Sequence, residues 1–385
     1  MNERRRHLAV VGVGPCGTGR LGEGIPALTQ CLEVVAQDFD VTVYSLLKPA
    51  RAGGHSAVRL CSLPFRTPFL KLDLFILASM IVLDACRRKI DLLHAIDAFP
   101  AGWLGVRLAR LFRIPCVVSL LGEETANAPR AARRRIIARV CNEAARLTVL
   151  TRYQAAGLAA FGIGPERARV LPLGVDRSRF PFSTKPLAAP YVFLHVACAN
   201  PVKDVDTLLR TFERISAKLD AKLLIVGERH VGGETADRIS RLGLSSCVEL
   251  VGVVPNARLH EYYSRAHFLL HTSRYESQAV VVNEAMASGV VVCATDVGLV
   301  HDLGGQFFVV AMPGDIEHLA QQVLEIAANP ARYAALQARG VEWAAAHDVL
   351  WTAAEFRRVY ADVMASTASR NIRRYSAPPA PRPPR

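Results

Sequence analysis

HTSRYESQAVVVNEAMASGVVVCAT, residues 271–295, decides how the chain folds. With the preceding FLL, its first residues read as a strand. SRYES reads as a loop, about 279–288 as a helix stopped by Gly289, and GVVVCAT as the next strand. Strands apolar on both faces, alternating with helices, imply a parallel sheet covered by helices. Two acids stand on this unit with seven residues between them: Glu276 in the loop and Glu284 about two turns inside the helix. A helix start exposes unpaired backbone N–H groups, a phosphate cradle that needs no metal. Carboxylates beside it can accept hydrogen bonds from hydroxyls, one holding a sugar and the other a ribose. The apolar run AVVV between them argues against a merely solvated pair.

The same alternation extends outward in both directions. YVFLHVA is a strand, VDTLLRTFERISAKL a helix and AKLLIVG a strand, with CVELVGVV as a further strand. Towards the N-terminus, HLAVVGV, DVTVYSL, DLLHAI, IPCVVSLL and RLTVLT read as strands. Helices are expected at IPALTQCLEVVAQ, around 70–88, at AGWLGVRLARLFR and over about 130–145. The Pro-rich stretch 170–190 breaks the pattern and reads as an interdomain connection. The expectation is therefore an α/β protein of two Rossmann-like, doubly wound domains facing across a cleft. Ligands should bind beyond the carboxyl ends of the strands. The predicted units are 1–177, a linker at 178–189, 190–345, a helix at 346–369 that can pack back on the N-terminal domain, and a disordered basic, Pro-rich tail at 370–385.

Near the start, G-V-G-P-C-G follows the first strand and matches G-x-G-x-x-G. A dinucleotide site needs a helix directly after the glycines. Here the loop continues through TGRLGEG, and Pro15 removes a backbone donor. The acid required further on would be Asp38 or Asp40, before a strand rather than at its end. A substrate brought close to backbone fits this loop better than NAD, which stays as the lesser alternative.

The 385-residue chain has a formal net charge of +13, which suits an anionic partner or simply an Arg-rich surface. Nucleic acid has only that charge in its favour, so no specific nucleic-acid partner is expected. The nine cysteines are scattered without C-x-x-C or zinc spacing and read as reduced thiols. No metal and no cofactor are expected. No secretory signal is read, and FILASMIVL, 75–83, is too short to span a bilayer. It reads as a buried helix, with interfacial contact as the alternative. Arginines 130, 133, 134, 135 and 139 share one predicted helix, either a solvated face or a surface for an anionic membrane. The expected location is cytoplasmic, with peripheral contact at the inner membrane face as an option.

The E-x7-E segment resembles that of retaining glycosyltransferases of family 4 (glycosyl transferases group 1), which have the GT-B fold. The resemblance covers roughly 8–345. PLGVDRSRF, 172–180, is similar to the family's interdomain segment, and VACANPVKDVDTLLRTF, 196–212, to its phosphate loop. ELVGVVPNARLHEYYSRAHFLLHTSRYES, 249–277, is similar to its base-binding region, and HAIDAFPAGWLGVRLARLFRIPCVVSLLGEE, 94–124, to the acceptor-domain core. The E-x7-E region alone is specific; the order of the segments makes the match strong.

The resemblance implies transfer of a sugar from a nucleotide diphosphate sugar to an acceptor hydroxyl with retention of configuration, without a metal. The acceptor would be a glycan, a lipid-linked molecule or a small molecule. Glu276 and Lys203 would be catalytic. Glu284 would bind the ribose, with Lys203, Arg274 and the backbone near Gln278, Ala279 and Val280 on the diphosphate. Gly17, Gly19, Gly22, Glu23 and Gly24 would form an acceptor and phosphate loop. His94, Glu123 and Glu124 are candidate acceptor contacts.

Three departures stand out. Cys198 replaces the family's Arg five residues before the Lys, Leu121 a His near the acceptor, and Ser277-Gln278-Ala279 the usual G-F-G. They leave open a relative that binds nucleotide and transfers weakly. Arg274 or Arg20 could replace the missing cation.

Overall fold

The structure, a computed structural model, describes residues 4–14, 24–47, 57–63, 67–122, 131–231 and 233–376. The first sheet is built from β1 (Arg6–Gly12), β2 (Phe39–Ser45), β3 (Arg59–Ser62), β4 (Leu92–Ile96), β5 (Cys116–Leu120), β6 (Arg146–Val149) and β7 (Ala168–Val170). Its helices are α1 (Pro26–Val35), α2 (Leu70–Arg87), α3 (Trp103–Phe112), α4 (Ala131–Glu143) and α5 (Arg152–Gly157). The second sheet is built from β8 (Tyr191–Val196), β9 (Ala221–Val226), β10 (Val248–Gly252), β11 (Phe268–His271), β12 (Val291–Thr295) and β13 (Val309–Ala311). Around it lie α6 (Val205–Ser216), α7 (Glu234–Arg241), α8 (His260–Tyr263), α9 (Val280–Ala287), α10 (Leu299–Leu303), α11 (Ile316–Ala327) and α12 (Pro330–Ala346). The last helix is α13 (Val349–Ser376).

The strand orders are β3-β2-β1-β4-β5-β6-β7 and β10-β9-β8-β11-β12-β13, and every strand pair is parallel. Both are doubly wound, so each has one point where the chain reverses its direction of travel across the sheet. In the second sheet that point lies between β8 and β11, and it decides where Lys203 and Glu276 meet. Apolar clusters cover each sheet on both faces. Burial of strands such as LLHAI and CVVSL on both faces follows from that layering.

The α/β fold expected from the sequence is present, with local differences. β3, β7 and β13 were not foreseen, and β7 starts just ahead of the stretch read as connection. All three are short edge strands, RLCS, ARV and VVA, with too few residues to show a pattern. From Ile316 to Ser376 the chain forms three helices, α11, α12 and α13. Side-chain caps start the first two: Asp315 accepts from the His318 N–H at 3.1 Å and Asn329 from the Arg332 N–H at 3.0 Å. The third helix runs on to Ser376, through residues read as the disordered tail, because no proline comes before Pro378. Residues 377–385 lie outside the described part.

That last helix lies against the first sheet. Phe356, Val359, Tyr360 and Val363 are buried in the cluster that contains Leu28 and Leu32 of α1. A polar chain joins it to the strands beneath: Tyr360 Oη to His94 Nδ1 at 2.8 Å, His94 Nε2 to Ser119 Oγ at 2.7 Å, and Ser119 Oγ to Thr148 Oγ1 at 2.5 Å. Burial pushes the His94 ring down to about 3, so it stays neutral. A neutral ring that accepts from Tyr360 and donates to Ser119 satisfies both nitrogens. Tyr360→Phe leaves a buried ring nitrogen without a partner. It should lower the unfolding free energy by about 1–3 kcal/mol in urea titrations, whereas an unchanged midpoint would show that water replaces the hydroxyl.

Candidate functional site

Lys203 follows β8 and Glu276 follows β11, so the two strands beside the switch point deliver them to one place. Asn200 shapes the first loop: its Oδ1 accepts from the N–H groups of Val202 at 2.9 Å and Lys203 at 3.1 Å. Asp204 then caps α6 through Thr207, accepting from its N–H at 3.3 Å and from its hydroxyl at 2.8 Å. Lys203 Nζ reaches Glu276 Oε1 at 2.5 Å. The same oxygen receives Ser273 Oγ at 2.7 Å and His271 Nε2 at 3.1 Å. Gly298 backs this loop at φ +58; a Cβ there would stand 3.0 Å from the Cβ of Glu276. Burial pushes the Glu276 carboxyl up, but the Lys203 ammonium and the His271 hydrogen bond outweigh it and hold the group below the usual carboxylate range. Glu276 is therefore a fixed negative charge.

Glu284 is set in the opposite state. It is 5% exposed. Tyr263 Oη donates to its Oε2 at 2.8 Å and Asn256 Nδ2 to its Oε1 at 3.4 Å. Burial nevertheless pushes the carboxyl up to about 7.

Both carboxylates line a cleft of about 600 Å³, within the range of small-molecule sites. One wall comes from the first half: Ile25, Pro26, Ala27, Leu121, Leu150 and Leu173. The facing wall includes Cys198, Lys203, Glu228, Gln278 and the start of α9 at Ala279, Val280 and Val281. The first N–H groups of a helix have no partner within it, so this end of α9 offers donors to an anion. Ala279 holds the turn at φ +66, a left-handed conformation that costs a residue with a Cβ about 1–2 kcal/mol.

The geometry gathers Glu276, Lys203, Glu284, Gln278, Ala279 and Val280 in one cleft and leaves others out. Both ends of the Gln278 amide engage the backbone of Leu173, Nε2 donating at 2.8 Å and Oε1 accepting at 2.9 Å, so the side chain is committed to holding the loop. Arg274 does not line the cleft; its Nε donates to Asp204 Oδ2 at 2.8 Å. His94 is not an acceptor contact, because it is sealed in the core with both ring nitrogens engaged. Gly17, Gly19, Gly22, Glu23, Glu123, Glu124, Arg20 and Arg130 lie outside the described residues. Gly24 is described, at φ +90 just before the cleft residue Ile25. Asp40, one of the two acids a dinucleotide could use, is the second residue of β2 and pairs with Arg88 at 2.8 Å. That is the wrong end of the strand for such a role.

His271 and Ser273 escaped the sequence reading, although both stand within five residues of Glu276. Among the described residues no group of three or more His, Cys, Asp or Glu is arranged to hold a metal ion.

The state of Glu284 is testable without a ligand. A carboxyl raised from 4.5 to about 7 favours the folded state when protonated. That contribution is full below the unfolded value and is lost as pH rises through about 7. Glu284→Gln should therefore gain on the wild type between pH 5 and pH 8, by about 3 kcal/mol at most. Thermal unfolding of both proteins across that range checks it; parallel curves would contradict it.

Comparison with known proteins covers both halves. Residues 27–179 match the family described as Glycosyltransferase Family 4 and residues 190–329 the one described as Glycosyl transferases group 1. The chain is 28% identical over 177 residues to the MMP alpha-(1->4)-mannosyltransferase of Mycolicibacterium hassiacum, covering 45% of this chain and 43% of that protein. It spans about half the length of the curated relatives it matches. Sucrose-phosphate synthase from Thermosynechococcus elongatus superposes with a TM-score of 0.80 at 20% identity, over 94% of this chain and 100% of that one. Anabaena HepE, in complex with UDP and glucose, gives 0.75 at 18%, over 93% and 100%. These structures share the GT-B arrangement of two facing sheets. With family matches on both sheets, the chain belongs to the group 1 glycosyl transferases of glycosyltransferase family 4.

Proposed function

We propose that this protein transfers a sugar from a nucleoside diphosphate sugar to an acceptor hydroxyl, with retention of anomeric configuration and without a metal, in the synthesis of a glycan or glycolipid. One observation carries the reading. A fixed carboxylate paired with Lys203, a second buried carboxylate and the N-terminus of α9 converge in a cleft walled from both halves. Glu284 has the placement to accept from ribose hydroxyls, and Glu276 from hydroxyls of the sugar. The Lys203 ammonium and the first N–H groups of α9 would meet the diphosphate. The same-fold HepE structure with UDP and glucose supports this class of donor.

In the transfer, the acceptor oxygen bonds to the anomeric carbon while the bond from that carbon to the diphosphate oxygen breaks. The acceptor proton passes to the departing phosphate on the same face, which keeps the configuration. Negative charge grows on the leaving diphosphate, where Lys203 and fixed backbone donors stabilise it more than in the ground state. Incubation with UDP-glucose and GDP-mannose should release the diphosphate, and proton NMR of the product should show the donor's anomeric configuration. Lys203→Ala and Glu276→Gln should each lower kcat by about a hundredfold or more. An inverted product would overturn the front-face route; full activity in either variant would overturn the assigned roles.

A second surface bears on the acceptor. Phe69, just before α2, and Leu72, Phe75 and Leu83 along it are exposed, at 69%, 44%, 69% and 60%. Both aspartates of that helix, Asp73 and Asp84, are buried, so its exposed charges, Lys71 and Arg87, are positive. On α4, Arg133, Arg134, Arg135 and Arg139 are exposed as well. No helix among the described residues is long and apolar enough to cross a membrane. An apolar ridge edged by cations suits the surface of an anionic bilayer and a lipid-linked acceptor. The protein should sediment with phosphatidylglycerol vesicles, and the pair Phe69→Ser, Phe75→Ser should abolish this. No sedimentation of the wild type, or equal sedimentation of the variant, would contradict it.

A further inference from the structure

Among its described residues the cleft is short of positive charge for the ligand proposed above. Among its described lining residues Lys203 is the one basic side chain, and it is already paired with Glu276. Glu228, Glu276 and Glu284 are acidic. Cys198 lines the cleft where the family resemblance leads one to expect an arginine. A diphosphate entering this lining needs a second cation.

The neighbouring loop brings one. After β9, residues 228–230 are laced to residues 197–199. The Ala199 N–H donates to the Glu228 carbonyl at 2.9 Å, and His230 Nε2 meets the Ala197 carbonyl at 2.9 Å. Arg229 and Cys198 are the middle residues of the two laced segments. The approach is so close that a Cβ on Gly227 would stand 1.7 Å from the Ala197 carbonyl oxygen. Arg229 itself holds φ +63, where glycine would be unstrained. Strain of this kind persists where the surroundings fix it, and it gathers at ligand sites. The Arg229 side chain is exposed and has no ion-pair partner among the described residues. Burial pushes the Cys198 thiol up, and the largest influence opposing it is the positive charge of Arg229.

We propose that Arg229 is the second cation of the diphosphate site, reaching from the β9 loop to the position that Cys198 leaves uncharged. The assignment rests on the nucleoside diphosphate reading of the cleft and names a residue of that site outside the family motif. It also makes the departure at Cys198 a relocation of charge rather than a loss of function.

Calorimetric titration with UDP and GDP, and with uridine and guanosine, tests it on the wild type, Arg229→Gly, Arg229→Gln, and Arg229→Gly combined with Cys198→Arg. Both single variants should bind the preferred diphosphate at least about tenfold more weakly, the scale of a lost hydrogen bond to a charged group. Their nucleoside affinity should be unchanged. Arg229→Gly should unfold at or above the wild-type temperature, because it relieves the left-handed strain. Cys198→Arg should restore diphosphate binding in the Arg229→Gly background. Wild-type diphosphate affinity in both single variants would overturn the assignment and leave the donor reading standing. Equal loss of nucleoside and diphosphate affinity would place Arg229 on the base and overturn it too. A wild type that binds neither diphosphate would overturn the donor reading, and this assignment with it.

Discussion

The cleft exists because the Gln278 side chain ties the loop after β11 to the backbone of the first half. Both ends of its amide engage Leu173, and Asn283 Nδ2 donates to the same Leu173 carbonyl at 2.9 Å. Two neighbouring bonds repeat the tie: Thr151 Oγ1 to the Ser277 carbonyl at 2.6 Å, and Ser277 Oγ to the Leu121 carbonyl at 2.7 Å. The loop that carries Glu276 and starts α9 is thus fixed to both sheets at once. Asp302, on α10, accepts from the N–H groups of Arg152 and Tyr153 at 2.6 and 2.9 Å. A carboxylate from the second half thereby satisfies the orphan donors at the start of α5. Buried amides that lose such partners are costly, so opening the cleft must break this set or exchange it for water.

Within that frame, two carboxylates eight residues apart are given opposite character by their surroundings. Glu276 keeps its charge because Lys203, His271 and Ser273 all address one of its oxygens. Glu284 has Tyr263 and Asn256 but no cation among the described residues, and burial dominates. One is suited to hold a cation and a polar substrate rigidly. The other is suited to accept hydrogen bonds from hydroxyls where charge is less favoured. Separating paired acids by environment is a general way for one site to bind and react at neutral pH.

Much of this was legible in the sequence. The alternation of apolar strands and helices announces two parallel sheets, and Glu276 and Glu284 stand out against AVVV. Lys203 was legible only through the resemblance of its segment to a family motif, since a lysine before a helix is ordinary. His94 shows the limit. A histidine at the end of DLLHA reads more readily as a satisfied strand-end residue than as a site residue, but its partners Ser119 and Tyr360 are far away in the chain. The same holds for Arg274, whose partner Asp204 lies seventy residues earlier. Arg229 had no signal at all. Its meaning depends on a left-handed backbone and on lacing between two loops, and neither leaves a pattern in composition or spacing.

The most direct measurement is a crystal structure of the protein with the nucleoside diphosphate it prefers. Ribose hydroxyls should lie on Glu284 and the diphosphate between Lys203 and the first turn of α9, with the base towards the loop that contains Asn256. A nucleotide bound instead against the glycine-rich loop after β1, with Glu284 untouched, would contradict it.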